Sequence, residues 1–209
     1  QGDTAEQDYL TQAEGFENAF NNWTDWCEST PDECSFSSED VKADWLDLYN
    51  AHDLESVFTD DGREVNGVVI DTATTSALYA RYEWGPLADA LSALQDGDST
   101  QILEMADSWT GRDEDGTFGG GYDSYNIINC ASATNDDESK DPKALLKKLK
   151  EVAPWYSRDY EVDWLSGGYC ESVFDEAKLF EVDYQGDAPI VVLGGTDDPS
   201  TPLRWAEEL

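Results

Sequence analysis

The stretch that decides the fold is "DYLTQAEGFENAFNNWTDWC", residues 8–27. Its large apolar side chains recur at spacings of seven, four, three and four residues. They are Tyr9, Phe16, Phe20, Trp23 and Cys27. Side chains at these spacings share one face of an α-helix, so the pattern predicts an amphipathic helix with its acids on the other face.

The segments that follow repeat the helical pattern and are joined by short polar turns. The predicted helices are "SSEDVKADWLDLYNAH" capped by Ser37, "TATTSALYARYEW" capped by Asp71, "PLADALSALQDGD" opened by Pro86, and "STQILEMADSW". Between the first two, "REVNGVVI" is β-prone and predicts a small hairpin with an Asn-Gly turn. Helices joined in this way predict a helical bundle over residues 1–120.

A glycine-rich and acidic stretch, "TGRDEDGTFGGGYDSY", is the clearest break in composition. It predicts a mobile surface loop. A calcium loop is the weaker interpretation, because the acids do not alternate and no distal Glu ends the series. After it, "NIINC" is β-prone and "DPKALLKKLKEVAPWY" predicts a capped helix.

The chain ends on "APIVVLGGTDDPSTPLRWAEEL", residues 188–209. Four consecutive apolar residues from Ile190 to Leu193, closed by glycines, predict a buried strand that requires sheet partners. An acidic turn and a helix follow, which is where α/β enzymes often place a catalytic carboxylate. Asp197 and Asp198 are therefore the candidate acids. For the chain as a whole, the patterns predict a mainly α fold with a small β element, followed by a segment of one strand with flanking helices.

The composition is strongly acidic, with 47 Asp plus Glu against 12 Lys plus Arg and a formal net charge of -35. This field repels phosphates and anionic membrane surfaces, so we expect neither nucleic acid binding nor a role at a lipid surface. Because no hydrophobic run is long enough to span a bilayer, we also expect no membrane insertion. The 8 Trp, 10 Tyr and 7 Phe interleaved with the acids indicate a folded protein. The acidic surface is typical of solubility or salt tolerance, and a cationic partner is the alternative.

The four cysteines form a close pair, Cys27 and Cys34, and a distant pair, Cys130 and Cys170. Four cysteines allow three pairings, and spacing alone does not choose among them. A metal site requires clustered ligands, and the single histidine, His52, lies beside none of them. We therefore expect disulfides, an extracytoplasmic location that is secreted or cell-surface, and neither a metal nor a cofactor.

A complete hydrolytic triad is not readable in the chain. It has no G-x-S-x-G nucleophile elbow, and "LSGGYC" around Ser166 does not fit that spacing. His52 precedes the candidate acid, whereas α/β-hydrolases follow the order serine, acid, histidine. We interpret His52 as an exposed or capping residue.

Several segments nevertheless resemble a family of secreted α/β-hydrolases, the tripeptidyl aminopeptidase type, in the order of that family. "WTDWCESTPDEC" resembles the Trp-Cys, acidic loop, Cys motif of its cap, and "SALYARYEWGPLADALSALQDGD" a later cap region. "NIINC", "GGYC" and "PIVVLGGTDDPSTPLRWAEEL" resemble its C-terminal segments, the last being the most specific. The resemblance covers nearly the whole chain from about residue 10.

The resemblance implies that Asp198 is the triad acid and that Asp197 fills the variable position before it. It implies the pairs Cys27–Cys34 and Cys130–Cys170. It also implies a helical cap domain over residues 1–120 and a truncated C-terminal part of the α/β-hydrolase core over residues 121–209. The serine elbow would lie before residue 1 and the catalytic histidine beyond Leu209.

The function implied is that of a serine peptidase whose acyl-enzyme chemistry releases short peptides from free N-termini. Its partners would be a peptide or small ester substrate and the rest of the hydrolase core, and cap carboxylates could hold the substrate ammonium group. The chain alone is predicted to be inactive. The alternative is a non-catalytic acidic extracellular module that binds sugars or cationic partners.

Overall fold

The computed structural model describes residues 5–132, 141–165, 186, 188–189 and 191–208. Over these residues the chain forms eight α-helices and one antiparallel sheet of two short strands. The elements are α1 (Ala5–Ser29), α2 (Val41–Leu54), β1 (Val57–Phe58), β2 (Glu64–Val65), α3 (Gly67–Leu78), α4 (Trp84–Gln95), α5 (Thr100–Thr110), α6 (Gly121–Ser132), α7 (Pro142–Val152) and α8 (Leu203–Glu208). The prediction of a mainly α fold with a small β element is confirmed.

The chain divides into two compact units. One is continuous in sequence and comprises residues 18–120, and the other combines residues 1–17 with residues 121–209. We call them the continuous unit and the split unit. Since α1 runs from residue 5 to residue 29, it contributes to both. The identity of residues 1–120 as a cap and of residues 121–209 as a hydrolase core segment stays a prediction.

The continuous unit is built on a buried aromatic core. Phe20, Trp23 and Trp45 are fully buried, and the Phe20 ring meets Trp45 edge-on with centroids 5.3 Å apart. The Trp45 indole N–H donates to the Thr74 hydroxyl over 3.0 Å, and that hydroxyl donates to the Ile70 carbonyl over 2.8 Å. The apolar stripe predicted for α1 therefore packs into a core whose buried polar groups are hydrogen-bonded.

The turn after α1 is closed covalently. Cys27 and Cys34 are buried and form a disulfide with Cα atoms 5.2 Å apart. Cys130 on α6 is also buried and disulfide-bonded. Its expected partner, Cys170, lies outside the described residues, so that pairing stays a prediction.

The start of α2 differs by a few residues from the prediction. Asp40, and not Ser37, is the N-cap, because its carboxylate accepts a hydrogen bond from the Ala43 N–H over 2.9 Å. Carboxylate caps satisfy a free backbone donor and interact favourably with the helix dipole.

The hairpin predicted over "REVNGVVI" is wrong, because residues 67–70 lie in α3, and the hairpin that forms joins β1 to β2 instead. β1 pairs antiparallel with β2 across residues 59–63, so the Asn-Gly pair is not the turn. Asn66 instead caps α3 by accepting from the Val69 N–H, and Gly67 opens the helix against the Tyr49 ring. Asp71, predicted as the cap, lies within α3 because Asn66 already starts the helix.

The split unit has a smaller apolar core. Ala13 of α1 is buried with Leu145 and Leu149 of α7, Ala153 and Leu165. Phe16 stacks on Tyr156 with ring centroids 4.8 Å apart. The buried Glu17 accepts from the backbone N–H groups of Trp155 and Tyr156 over 2.8 and 3.1 Å. The first turns of α1 are therefore held to the chain after α7 by both apolar and polar contacts.

Two β predictions for the C-terminal half are wrong. "NIINC" lies in α6, which begins at Gly121 and so also ends the predicted glycine-rich loop. Residues 188–189 and 191–195 form no strand, and Val191 and Leu193 are exposed by 80% and 91%. The physical reason is that no described strand offers these residues a ladder partner, and a single strand without one cannot be buried.

Candidate functional site

The candidate acid lies in a tight loop, residues 196–202, directly before α8. Asp198 is half-buried, and both of its oxygens accept hydrogen bonds from within the loop. Its Oδ1 accepts from the N–H groups of Ser200 and Thr201 over 3.0 and 2.8 Å, and its Oδ2 accepts from the Thr201 hydroxyl over 2.7 Å. The turn thus holds the carboxylate in one orientation, as Asp side chains in such turns commonly do.

The same contacts lower the pKa of the Asp198 carboxyl group. Partial burial raises its pKa, but the bonds from the Thr201 N–H, the Thr201 hydroxyl and the Ser200 N–H together lower it by more, so the net pKa lies below the ordinary value. The carboxylate is therefore ionised at neutral pH. The stability that it contributes is present above the ordinary pKa and is lost only as the pH falls through the lowered value.

Asp197 differs from Asp198 in its surroundings. It is exposed, whereas Asp198 is half-buried. Pro199 and Pro202 flank the hydrogen-bonded turn and fix its backbone, because a proline ring restricts φ to about -65°. Of the two candidate acids, Asp198 is thus the more buried and is held by its own loop, and its role as a triad acid stays a prediction.

The Asp198 loop packs against α1 within the split unit. The Gln12 side-chain amide donates to the Ser200 carbonyl over 2.8 Å. Gly15 lies so close to the loop that a Cβ atom there would be 2.6 Å from the Pro199 carbonyl oxygen. Gln12, Gly15 and Thr201 were not predicted from the sequence. A glycine inside an otherwise strong helix was the available signal, since it is unfavourable there unless another backbone approaches closely.

The other triad candidates named from the sequence are His52 and Ser166. His52 belongs to α2 of the continuous unit, where its Nδ1 donates to the Leu48 carbonyl over 2.9 Å, a contact within its own helix. Ser166 lies outside the described residues. The described residues around Asp198 therefore supply an oriented acid.

The continuous unit carries a groove of about 560 Å³ beside α3, α4 and α5. Two carboxylates, two phenols and a thioether contribute to its lining: Glu83, Glu104, Tyr79, Tyr82 and Met105. The Tyr82 side chain is 80% exposed, and Tyr79 contacts Trp109 with ring centroids 5.0 Å apart. Acidic and aromatic groups together favour a cationic ligand.

The described ranges show neither a metal-binding cluster nor a membrane-spanning helix. There, no three His, Cys, Asp or Glu side chains converge in a way that would hold a metal ion. None of the helices described is long and apolar enough to cross a bilayer.

Comparison with known proteins gives distant relatives with hydrolase names. The chain is 27% identical over 210 residues to Carboxylesterase B of Mycobacterium tuberculosis, and 28% identical over 214 residues to Serine protease Hip1 of the same species. The alignments cover 97% and 96% of this chain but only 40% of each relative. No protein-family model matches the chain. The chain thus spans less than half the length of the curated relatives that it matches.

Proposed function

We propose that this chain is the cap and part of the C-terminal core of a serine hydrolase, in which Asp198 orients the catalytic histidine. The observation that carries the proposal is the Asp198 carboxylate, ionised and fixed by three hydrogen bonds from its own loop. The names of the relatives, an esterase and a serine protease, support the same class of chemistry.

The geometry of Asp198 suits the orienting role. Oδ1 is occupied by two backbone N–H groups, whereas Oδ2 accepts one hydroxyl and retains acceptor capacity for an imidazole Nδ1–H. An imidazole held in this way presents Nε2 to the serine, takes the hydroxyl proton as the serine attacks the carbonyl carbon, and then returns it to the leaving group. Asp198 stabilises the imidazolium that forms without taking the proton, in keeping with its lowered pKa.

Apolar and polar groups near Asp198 support the proposal that further strands of a hydrolase core pack against this segment. Val191 and Leu193 expose most of their surface, although apolar runs of this kind are typical of buried strands. Among the described residues, the Trp205 indole N–H on α8 is buried without a hydrogen-bond partner. Neighbouring strands of a hydrolase sheet would cover the apolar run and could supply an acceptor.

We further propose a tripeptidyl aminopeptidase specificity, in which the substrate carries a free N-terminus. Glu83 and Glu104, in the groove of the continuous unit, are the candidates for holding the substrate ammonium group. In the longer protein, that is, the proposed hydrolase of which this chain is a part, the double substitution Glu83→Gln and Glu104→Gln should raise KM for peptides with a free N-terminus. It should not raise KM for the N-acetylated forms of the same peptides. Equal changes for both substrates would contradict this specificity.

The purified 209-residue chain should not turn over an aminoacyl-nitroanilide or a simple ester. It contains no nucleophile elbow, and an acid without its serine and histidine has no route to an acyl-enzyme. The measurement is nitroaniline or nitrophenol release by the chain and, in parallel, by the longer protein. Turnover by the chain alone would refute the triad assignment, and no turnover by the longer protein would refute the hydrolase.

The disulfides lead us to propose an extracytoplasmic location. Disulfides persist in oxidising compartments and are rare in the cytosol. Thiol titration of the denatured chain, purified from its native compartment without reductant, should detect fewer than one reactive thiol among the four cysteines. Four titrated thiols would contradict both the disulfides and the location.

A second candidate function is a non-catalytic binding module for cationic partners. The groove with Glu83, Glu104 and exposed Tyr82 is the observation that favours it. Titration with a lysine-rich peptide, followed by intrinsic fluorescence, separates the candidates. Tight binding by the chain, together with an inactive longer protein, would favour the module over the hydrolase, and an oligosaccharide serves as the comparison ligand.

A further inference from the structure

One peptide unit connects α1 to the Asp198 carboxylate. The carbonyl of the Ser200–Thr201 peptide accepts a hydrogen bond from Gln12 Nε2 over 2.8 Å. The N–H of the same peptide donates to Asp198 Oδ1 over 2.8 Å. An amide whose oxygen accepts a hydrogen bond is polarised into a stronger donor at its nitrogen, so the two bonds reinforce each other.

The second contact is a backbone approach that only glycine permits. A Cβ on Gly15 would meet the Pro199 carbonyl oxygen at 2.6 Å and the Pro202 Cγ at 3.1 Å. A separation of 2.6 Å from a backbone oxygen is too short to be tolerated without movement of the loop. Gln12 and Gly15 lie three residues apart and so face the same side of α1.

We propose that α1 positions the catalytic acid, with Gln12 and Gly15 as positioning residues that act through the Ser200–Thr201 peptide. The inference rests on the proposed function, because it assigns these residues a role only if Asp198 orients a histidine. Gln12 and Gly15 do not touch the reacting groups. They set where the carboxylate lies, and catalytic carboxylates must be held to within about 0.5 Å of the productive position.

The hydrogen bonds within the loop cannot replace the positioning of Asp198 by α1. The bonds from Ser200 and Thr201 fix the carboxylate relative to its own turn. Among the contacts that the structure describes, those with α1 tie that turn to an element 188 residues earlier in the chain. Without these contacts, the turn would keep its local shape but would no longer be held in a fixed position relative to α1.

The test is a set of variants in the longer protein that contains this chain, measured for kcat and KM. Gln12→Met keeps the side-chain volume and removes the donor, so kcat should fall roughly 10- to 100-fold with KM unchanged, the effect of a displacement of about 1 Å. Gln12→Lys restores a donor of similar reach and should recover most of the loss. Glu14→Met, at an exposed position of the same helix, is the matched control and should leave kcat unchanged.

Gly15→Ala provides a second test, because the direction of its effect on stability depends on whether the loop approaches this position. At a helix position without a close neighbour, this change stabilises the protein and raises its unfolding midpoint. Here it should instead lower both the unfolding midpoint and kcat, because the methyl group displaces the Pro199 carbonyl. A stabilised variant with wild-type kcat would overturn the proposal.

A titration separates positioning from a general loss of structure. In the 209-residue chain, ¹³C NMR of the Asp198 carboxyl should show its pKa rising toward the ordinary value in Gln12→Met and not in Glu14→Met. An unmoved pKa together with unchanged kcat in Gln12→Met would overturn the inference while leaving the hydrolase intact. If Asp198→Asn itself does not reduce kcat, the proposed function fails, and the positioning role fails with it.

Discussion

Asp198→Asn should reduce kcat of the longer protein about 10⁴-fold, with little change in KM. Asparagine offers the imidazole an uncharged group, so the tautomer with the proton on Nδ1 is no longer enforced and the imidazolium is no longer stabilised. Steady-state hydrolysis of an aminoacyl-nitroanilide across a range of substrate concentrations separates kcat from KM.

The loop should survive this substitution, which makes it a test of chemistry. The asparagine oxygen can still accept from the Ser200 and Thr201 N–H groups, and its amide can donate to the Thr201 hydroxyl oxygen. The unfolding midpoint at neutral pH should therefore change far less than kcat.

Asp197→Asn is the matched control, because it removes the same charge from the adjacent, exposed position. Its kcat should stay within about twofold of the wild type, since screened surface charges have small effects. Comparable losses in the two variants would assign the effect to loop charge, and a fully active Asp198→Asn would exclude a triad acid at this position.

Glu17→Ala should lower the free energy of unfolding by about 3 kcal/mol. Glu17 is buried, with 5% of its surface exposed, and its carboxylate accepts the Trp155 and Tyr156 N–H groups. Removing a charged acceptor costs about 1.5–3 kcal/mol per hydrogen bond, and here two backbone donors lose it, one buried and one partly buried. Urea unfolding of the 209-residue chain, followed by tryptophan fluorescence, measures the change.

Glu14→Ala is the control for helix propensity and charge. Glu14 lies on the same helix and is exposed, so its replacement should change stability by no more than about 0.5 kcal/mol. Equal destabilisation by both variants would mean that the effect arises from helix charge and not from the capped turn after α7.

The helices were readable from the sequence because their stabilising contacts follow a simple period. Phe16, Phe20, Trp23 and Cys27, placed on one face by spacing alone, are all buried. Tyr9, assigned to the same face, is 51% exposed. It lies near the start of α1, where the apolar face continues beyond the core that the described residues provide.

The wrong predictions share a cause, which is that local preference was outweighed by the available partners. "NIINC" is β-prone residue by residue, yet it lies in α6, where a helix satisfies its backbone donors and acceptors internally. Val191 and Leu193 were predicted to lie in a buried strand, but a strand requires neighbouring strands and the described residues offer none. Asn66 read as a turn residue and serves as a cap, two roles that Asn fills by the same side-chain acceptor.

The candidate site was only partly readable for a related reason. Asp198 lies within a local motif, so its place in a turn before a helix followed from the sequence around it. Gln12 and Gly15 act across most of the length of the chain, and no periodicity links them to Ser200 or Pro199. Contacts of that kind depend on tertiary packing and are visible only in the folded molecule.

The split unit has a consequence for the order in which the chain can fold during synthesis. The continuous unit is complete once residue 120 has left the ribosome, and its helices pack on neighbours close in sequence. The first turns of α1 emerge earlier and must wait for α7 and the Asp198 loop, roughly 10–40 s at ordinary translation rates. During that interval Ala13 and Phe16 lack the contacts with α7 and Tyr156 that they make in the folded unit, which leaves an apolar face that a nascent-chain chaperone could bind.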